Sequence, residues 1–341
     1  KHNLLLKPNS QEIDFGRVNA HLGRLRTKYQ GNLATFKEVS GQQHPCKPSG
    51  TGSSANGGTG NVPLVDESEE LWHGPITLGG QTIQVDFDTG SSDIILNQGS
   101  YTPSAQATKT GKTFQTGYGD GTTAKGQIYL DSLEIGGLKA NGAAIGLANN
   151  KFLNSQEQDS GIAGMAFPAL AQLKQDPFFD VLMKANVLQQ PVFTFTLRQN
   201  QPSLFLGGIP SGLAEPVYVD VDSSQGFWGT QGSVNGNQTN SIQDTGTTLI
   251  VAPTSFAQTL FTSLNLQTFQ QDGSTYATYD ASNPPKIALQ FGTFTQDLSP
   301  ETLSFGQTND GKPVLSIIGS DVGINSVIFG DSFLRNVTIV F

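Results

Sequence analysis

The stretch Asp88-Thr89-Gly90-Ser91-Ser92 decides the fold, because a second copy of it occurs later in the chain as Asp244-Thr245-Gly246-Thr247-Thr248. Apolar residues alternate before the first copy, and short apolar runs follow both copies, which is the pattern of β-strands. Each copy therefore places one aspartate on a tight turn between two strands, where glycine lets the backbone turn without steric cost. The repetition predicts two similar lobes that each contribute one aspartate to a shared site.

Two carboxyl groups held within hydrogen-bonding distance cannot both ionise easily, so one keeps its proton while the other loses it. Such a pair contains an acid and a base, and the proton belongs to the pair rather than to either residue. The hydroxyl groups beside the aspartates are placed to hold the carboxylates in one plane; they belong to Thr89, Ser91, Thr245 and Thr247. A lone Asp-Thr-Gly is a common turn, but two copies with strands on both sides favour a catalytic pair.

The two motifs resemble the paired active-site motifs of the pepsin-like aspartic peptidases, and the resemblance extends from about residue 71 to residue 341. It implies an all-β, bilobal, pepsin-like double β-barrel with an internal pseudo-two-fold duplication. It also implies an acid-active endopeptidase in which a water molecule, activated between Asp88 and Asp244, hydrolyses a peptide bond of a peptide or protein substrate. Gly90 and Gly246 would belong to the supporting turns. The resemblance implies neither a cofactor nor a metal.

The segment Thr116-Gly117-Tyr118-Gly119-Asp120-Gly121-Thr122 lies between two strand-like runs. Its three glycines and its Asp-Gly pair are typical of a β-hairpin tip. It resembles the flap of the family, which implies that Tyr118, Gly119 and Asp120 close over bound substrate. The alternative is a plain hairpin with a tyrosine on its surface.

The first 47 residues differ in charge from the rest of the chain. They contain eight lysines and arginines against three acidic residues, a formal charge of +5, whereas the remainder holds 11 basic and 25 acidic residues, a formal charge of −14. Apolar residues in this segment recur at steps of three and four, which predicts an amphipathic helix that Ser10 could cap; they are Phe15, Val18, Leu22, Leu25 and Tyr29. A basic helix can bind nucleic acid or a membrane, but the acidic remainder of the same chain is the nearer partner.

This charge division resembles the propeptide of a peptidase zymogen, with a short helix. The resemblance implies that Lys28 and Tyr29 lie over the aspartates and inhibit the enzyme within the same chain, with Lys37 as the second candidate. The alternative is that Lys28 is a solvated helix residue. We predict a basic propeptide at 1–48, a Gly/Ser-rich linker at 49–61, an N-terminal lobe at 62–205 and a C-terminal lobe at 206–341.

Composition restricts the other possibilities. A single cysteine, Cys46, excludes an intramolecular disulfide, and three of the four histidines precede residue 45, which leaves little for a histidine triad or zinc site. Two glycosylation sequons occur, of which Asn237 lies in a Gly/Asn-rich loop and is the better candidate, whereas Asn336 falls in a predicted strand. We expect a secreted or extracellular monomer similar to fungal secreted members, with the vacuole as the other location. We expect no nucleic acid or membrane partner.

A second class of function remains open at this point, since fold does not dictate activity. A chain of this fold could be a catalytically inactive binding or inhibitor protein. A glycosidase that uses two aspartates is a weaker third possibility, because only Trp72 and Trp228 are available to line a sugar groove.

Overall fold

A computed structural model describes residues 5–39, 57–67, 71–117, 123–153, 160–198 and 200–341. Within these ranges the helices are α1 (Phe15–Val39), a 3-10 helix (Pro168–Leu170), α2 (Phe178–Lys184), α3 (Thr254–Ser263), α4 (Pro300–Leu303) and α5 (Asp331–Leu334). None of the helices in the described ranges is long and apolar enough to cross a membrane.

Most of the described chain is β-structure. The strands of the first half are β1 (Gly60–Pro63), β2 (Val65–Glu67), β3 (Leu71–Leu78), β4 (Gln81–Asp88), β5 (Ile94–Leu96), β6 (Thr108–Gly117), β7 (Thr123–Ile135), β8 (Leu138–Ala148), β9 (Gly161–Gly164), β10 (Phe193–Thr196) and β11 (Ser203–Leu206). Those of the second half are β12 (Gly229–Val234), β13 (Asn237–Gln243), β14 (Ile250–Ala252), β15 (Gln267–Gln271), β16 (Ser274–Thr278), β17 (Ala288–Phe291), β18 (Phe294–Asp297), β19 (Ser304–Gln307), β20 (Pro313–Leu315), β21 (Ile317–Gly319), β22 (Val327–Phe329) and β23 (Thr338–Val340).

The N-terminal lobe is built on a closed barrel. Strand β3 pairs with β4 and also with β7, so the order β3-β4-β9-β5-β8-β7 returns to its starting strand. Closure leaves no exposed sheet edge in the ring. The C-terminal lobe is built on an open sheet of 11 strands, in which β13, β22, β14 and β21 are consecutive.

The pairing around each aspartate is the same in both lobes. Strand β4, which ends at Asp88, runs parallel to β9, while β5 pairs with β9 in the antiparallel sense. Strand β13, which ends just before Asp244, runs parallel to β22, while β14 pairs with β22 in the antiparallel sense. The fold is therefore bilobal and mostly β with an internal duplication, as predicted.

A smaller sheet joins the two halves of the chain, in the order β1-β11-β10-β23. Its strand β1 begins at Gly60, inside the predicted linker, because the backbones of Gly60 and Asn61 pair with Leu206 and Phe205. Strand β11 crosses the predicted boundary between the lobes. The last strand, β23, returns to this sheet from the C-terminal lobe.

Helix α1 buries the apolar face that its sequence predicts. Val18, Leu22 and Tyr29 are fully buried and Leu25 is nearly so. The helix extends three turns beyond the predicted pattern, since Leu33 and Phe36 continue the packed face. The prediction of Ser10 as its cap was wrong: the carboxylate of Asp14 accepts hydrogen bonds from the backbone N–H groups of residues 16 and 17 at 3.1 and 3.2 Å.

Candidate active site

Both motif aspartates lie at the ends of central strands and are almost completely buried, with 4% of the Asp88 side chain and none of the Asp244 side chain exposed. The same two donors hold each carboxylate. Asp88 accepts hydrogen bonds from the Gly90 N–H at 2.9 Å and the Ser91 hydroxyl at 2.5 Å. Asp244 accepts them from the Gly246 N–H at 3.0 Å and the Thr247 hydroxyl at 2.5 Å.

The threonines of the two motifs connect the lobes directly beneath the carboxylates. The Thr89 N–H donates to Oγ1 of Thr245, and the Thr245 N–H donates to Oγ1 of Thr89, both at 3.0 Å. Each hydroxyl in turn donates to a backbone carbonyl of the opposite lobe, Thr89 to Gln243 at 2.9 Å and Thr245 to Phe87 at 2.6 Å. These four bonds fix the position of one aspartate relative to the other.

The motif glycines permit the two carboxylates to approach each other. A Cβ atom added at Gly246 would lie 2.3 Å from Oδ1 of Asp88, and one added at Gly90 would lie 2.5 Å from Oδ1 of Asp244. Real Cβ atoms do not approach other atoms this closely, so each glycine makes room for the aspartate of the other lobe. This contact brings the pair of carboxylates predicted from the sequence into one site.

Helix α1 places a cation between the two carboxylates. Nζ of Lys28 lies 3.0 Å from Oδ1 of Asp88 and 3.1 and 2.8 Å from the two oxygens of Asp244. The hydroxyl of Tyr29 donates to Oδ2 of Asp244 at 2.8 Å. The structure therefore brings the predicted inhibitory pair to the predicted catalytic pair, and the Lys28 side chain is only 15% exposed.

Comparison with known proteins agrees with this geometry. The family model described as eukaryotic aspartyl protease matches residues 72–341, which include both motifs. The chain belongs to the eukaryotic aspartyl protease family. This aspartyl protease is therefore an aspartic endopeptidase.

Three fungal relatives illustrate the similarity. Secreted aspartyl protease 1 of Malassezia globosa is 39% identical over 348 aligned positions, which cover 99% of this chain and 88% of the relative. An aspartic protease of Phaffia rhodozyma is 32% identical, over 83% of this chain and 76% of the relative. Penicillopepsin-1 of Penicillium janthinellum is 30% identical, over 84% of this chain and 96% of the relative.

The electrostatics of the site divide the two carboxyl groups. Burial by itself favours the neutral form of Asp244, but the Lys28 ammonium and the hydrogen bonds to the carboxylate lower its pKa to about 2. Burial and the negative charge of Asp244 raise the pKa of Asp88 against the opposing effect of Lys28. Burial would lower the pKa of Lys28, but the charges of Asp244 and Asp88 raise it instead. In this aspartyl protease the shared proton is therefore favoured on Asp88.

The predicted flap residues, Tyr118, Gly119 and Asp120, lie outside the described residues. The two strands that lead to them are described, and β6 and β7 pair up to Gly117 and Thr123. Two antiparallel strands therefore flank the predicted flap residues.

Sequence reasoning missed a third contact from α1. The side-chain amide of Asn32, which is 1% exposed, donates to the backbone carbonyl of Gly90 at 2.8 Å. Its position four residues after Lys28, on the same helix face, is a signal that could have found it. Asp86, two residues before the first motif aspartate, is only 5% exposed, because β4 lies between β3 and β9 in the barrel.

Proposed function

We propose that this chain is the proenzyme of an acid-activated aspartic endopeptidase, with Asp88 and Asp244 as its catalytic residues and residues 1–48 as its inhibitory propeptide. The observation that supports this most directly is the position of Lys28, whose ammonium group contacts both carboxylates at 2.8 to 3.1 Å. An attacking water molecule would have to occupy the same space. The pair is therefore assembled but blocked.

Once Lys28 has left, the two carboxyl groups can share one proton, and the pair supplies both groups that peptide hydrolysis requires. The ionised carboxylate takes a proton from the attacking water, while the protonated carboxyl donates to the carbonyl oxygen of the scissile bond. The donors from Ser91 and Thr247 and the two glycine N–H groups hold both carboxylates in position. The water attacks directly, so no covalent intermediate with the protein is formed.

The electrostatics support release of the propeptide in acid. The pKa of Asp244 is about 2 in the blocked site, below the ordinary 3.8. Because the Lys28 ammonium acts to lower the pKa of both carboxyl groups in the blocked form, they bind protons more readily once Lys28 has left, and acid therefore favours release. At neutral pH the ammonium group of Lys28 remains in place.

The test of this proposal uses the full chain. The purified protein is held at about pH 3.5 or about pH 7.5 with a denatured protein substrate, and its own mass is followed. We expect cleavage only after acid exposure, with loss of roughly the first 45 to 70 residues. Asp88→Asn should abolish both substrate cleavage and loss of the N-terminal segment. Asp220→Asn, which changes an exposed aspartate, should abolish neither. Absence of cleavage at both pH values, even after the N-terminal segment is removed, would instead favour a binding protein.

We propose that Tyr118, Gly119 and Asp120, at the tip between β6 and β7, cover the bound substrate. The support is the long hairpin, whose strands pair up to Gly117 and Thr123 on either side of the tip. A lid of this kind excludes water and completes a site on binding. Tyr118→Ala should lower kcat/KM at least tenfold, whereas Tyr218→Ala, at an exposed tyrosine of the C-terminal lobe, should not. Equal activity of the two variants would contradict the proposal that Tyr118 covers the substrate.

We propose an extracellular, monomeric protein that carries an N-linked glycan at Asn237 and not at Asn336. A relative is named a secreted protease. The prediction that Asn237 lies in a loop was wrong: it is the half-buried first residue of β13, directly after the turn at Asn235 and Gly236. The prediction that Asn336 lies in a strand was wrong, because it lies in the turn after α5. Among the described residues its amide group donates to Thr302 Oγ1 at 3.0 Å and to the carbonyls of Ser332 and Phe333 at 2.8 and 3.2 Å, whereas that of Asn237 donates to the Val234 carbonyl alone, at 3.1 Å, so Asn336 is the more firmly engaged.

Secretion from a yeast host tests this glycan assignment. The secreted protein should lose mass on endoglycosidase treatment, and Asn237→Gln should remove that loss while Asn336→Gln should not. A glycan that persists in Asn237→Gln would contradict the assignment. Size-exclusion chromatography with light scattering tests the monomer.

A further inference from the structure

Helix α1 contains a buried histidine that the inhibitory contacts do not use. His21 is 7% exposed and lies on the same helix as Lys28, two turns before it. Its Nε2 atom has no hydrogen-bond partner among the residues that the structure describes. A neutral imidazole tolerates this position, but an imidazolium would bury a charge and an N–H donor without an acceptor.

The surroundings of His21 oppose a positive charge. The charged groups that act on the imidazole are Arg24 and Lys28 from its own helix and Asp244 from the opposite lobe. Asp244 is already engaged by Lys28 and Tyr29. Helix α1 packs against the 3-10 helix, which has no titratable side chain, and against β6, whose titratable side chains are lysines, Lys109 and Lys112. It also packs against the C-terminal lobe: Phe15 meets Phe269 and Tyr276, and Arg26 donates to the Asp321 carbonyl and the Ser320 hydroxyl. The ionisable groups on that side are Tyr276 and Asp321.

We propose that His21 is the acid sensor of this proenzyme: protonation of its imidazole drives helix α1 away from the body and uncovers Asp88 and Asp244. This inference rests on the proposed function, since it names the group that regulates the blocked site. The proton is taken from solvent when α1 is released, and no bond is made or broken in that step.

The pH range in which His21 acts follows from its pKa in the docked and in the released helix. Burial, with the positive charges of Arg24 and Lys28, lowers the pKa of His21 from 6.5 to about 3 in the docked helix. A released helix therefore binds a proton below about pH 6.5, whereas a docked helix does not until about pH 3, and docking weakens about tenfold per pH unit between these values. The carboxyl groups also respond to acid, because the Lys28 ammonium acts to lower the pKa of both Asp244 and Asp88 in the docked form, so protonation of either weakens docking. His21 adds its own response between about pH 6.5 and pH 3.

Hydrogen exchange of the intact chain measures docking without catalysis. The Asp88→Asn background prevents cleavage, so that exchange of the α1 amides reports opening of the helix alone. We expect protection of α1, corrected for intrinsic exchange, to fall about 50- to 100-fold between pH 7 and pH 4.5. In Asp88→Asn/His21→Gln, protection should change less than threefold over the same range. An equal pH dependence in both proteins would overturn the proposal.

The substitution His21→Leu is used if His21→Gln by itself prevents α1 from docking. If α1 of the His21→Gln protein is already unprotected at pH 7, His21→Leu provides an apolar side chain that does not titrate, and the same flat profile is expected. In the active chain, His21→Gln should lower the pH of half-conversion by at least one unit. His73→Gln, at a buried histidine of β3, serves as the matched control and should leave it unchanged.

The two proposals fail in distinguishable ways. If the wild-type chain never removes its N-terminal segment, the proposed function fails, while the exchange measurement still decides whether His21 controls docking. If the chain activates normally but His21→Gln converts at the same pH as the wild type, only the sensor is rejected.

Discussion

Thr89 and Thr245 exchange hydrogen bonds across the two lobes, each backbone N–H donating to the hydroxyl of the other residue at 3.0 Å. Both residues are fully buried, and each hydroxyl also donates to a carbonyl of the opposite lobe. This symmetric arrangement connects the two halves of the chain by hydrogen bonds directly beneath the carboxylates. It makes the spacing of the aspartates depend on both motifs at once.

Thr245→Val should therefore weaken the site and the fold together. The isosteric change removes the donor to Phe87 and the acceptor for Thr89, and leaves two buried backbone groups without partners. We expect a loss of about 2 to 4 kcal/mol in the free energy of unfolding and at least a tenfold loss of activity. Chemical denaturation and peptide hydrolysis measure these. Thr245→Ser, which keeps the hydroxyl, should recover most of both, and a serine variant as weak as the valine variant would show that the methyl group matters instead.

Gly246→Ala should reduce activity far more than stability. The added Cβ would lie 2.3 Å from Oδ1 and 2.6 Å from Cγ of Asp88, so the carboxylate must move away from its partner. We expect at least a hundredfold loss of kcat, since misplacing a catalytic group by about 1 Å costs about this much. Gly208→Ala is the control, because its Cβ would meet its nearest atoms at an ordinary 3.4 Å. Full activity of Gly246→Ala would mean that the two carboxylates need not be in contact.

Lys28→Gln should make the proenzyme easier to activate. The substitution removes the ammonium that contacts both aspartates and leaves a neutral polar side chain that is one bond shorter. Loss of one partner leaves buried carboxylates without their cation, which is strongly destabilising to the docked form. We expect the pH of half-conversion to rise by at least one unit, as followed by mass and by substrate cleavage. Lys37→Gln, on the exposed side of the same helix, should convert like the wild type.

Asp93 should make the protein less stable as the pH rises. Its carboxylate accepts the backbone N–H groups of Gln172 and Leu173 at 2.6 and 3.3 Å, but burial raises its pKa from 3.8 to about 7. The native state binds this proton more tightly than the unfolded state, so the contribution to stability is complete below about pH 4 and is lost between about pH 4 and pH 7.

Asp93→Asn removes this titration. Between pH 4 and pH 7.5, the free energy of unfolding of the wild type should fall relative to the variant by an amount on the order of 2 to 4 kcal/mol, measured by urea denaturation. Asp176→Asn, at an exposed carboxylate paired with Lys184, is the control and should follow the wild type. A constant difference between Asp93→Asn and the wild type across this pH range would show that the carboxyl does not titrate there.

Much of the fold could be predicted from local patterns. Strands β4, β5 and β14 lie where the alternating and apolar runs around the two motifs placed them. The face of α1 was also predicted, because its apolar residues recur at the period of a helix. The cap was mistaken because Ser10 and Asp14 are both suitable residues, and only the path of the chain selects one of them.

The sequence by itself determined the two Asp-Thr-Gly turns, the duplicated β-structure and the charge division, because these depend on residue type and short-range periodicity. The tertiary structure decided which groups meet. Asp86 belongs to the same strand as Asp88, yet its burial depends on strands β3 and β9. The bond of Asn32 to Gly90 and the reciprocal threonine bonds join residues far apart in the sequence, and His21 is buried by the body, so these features arise only when two lobes and a helix pack together. Local patterns carry no information about that packing, since it depends on the positions of all three parts at once.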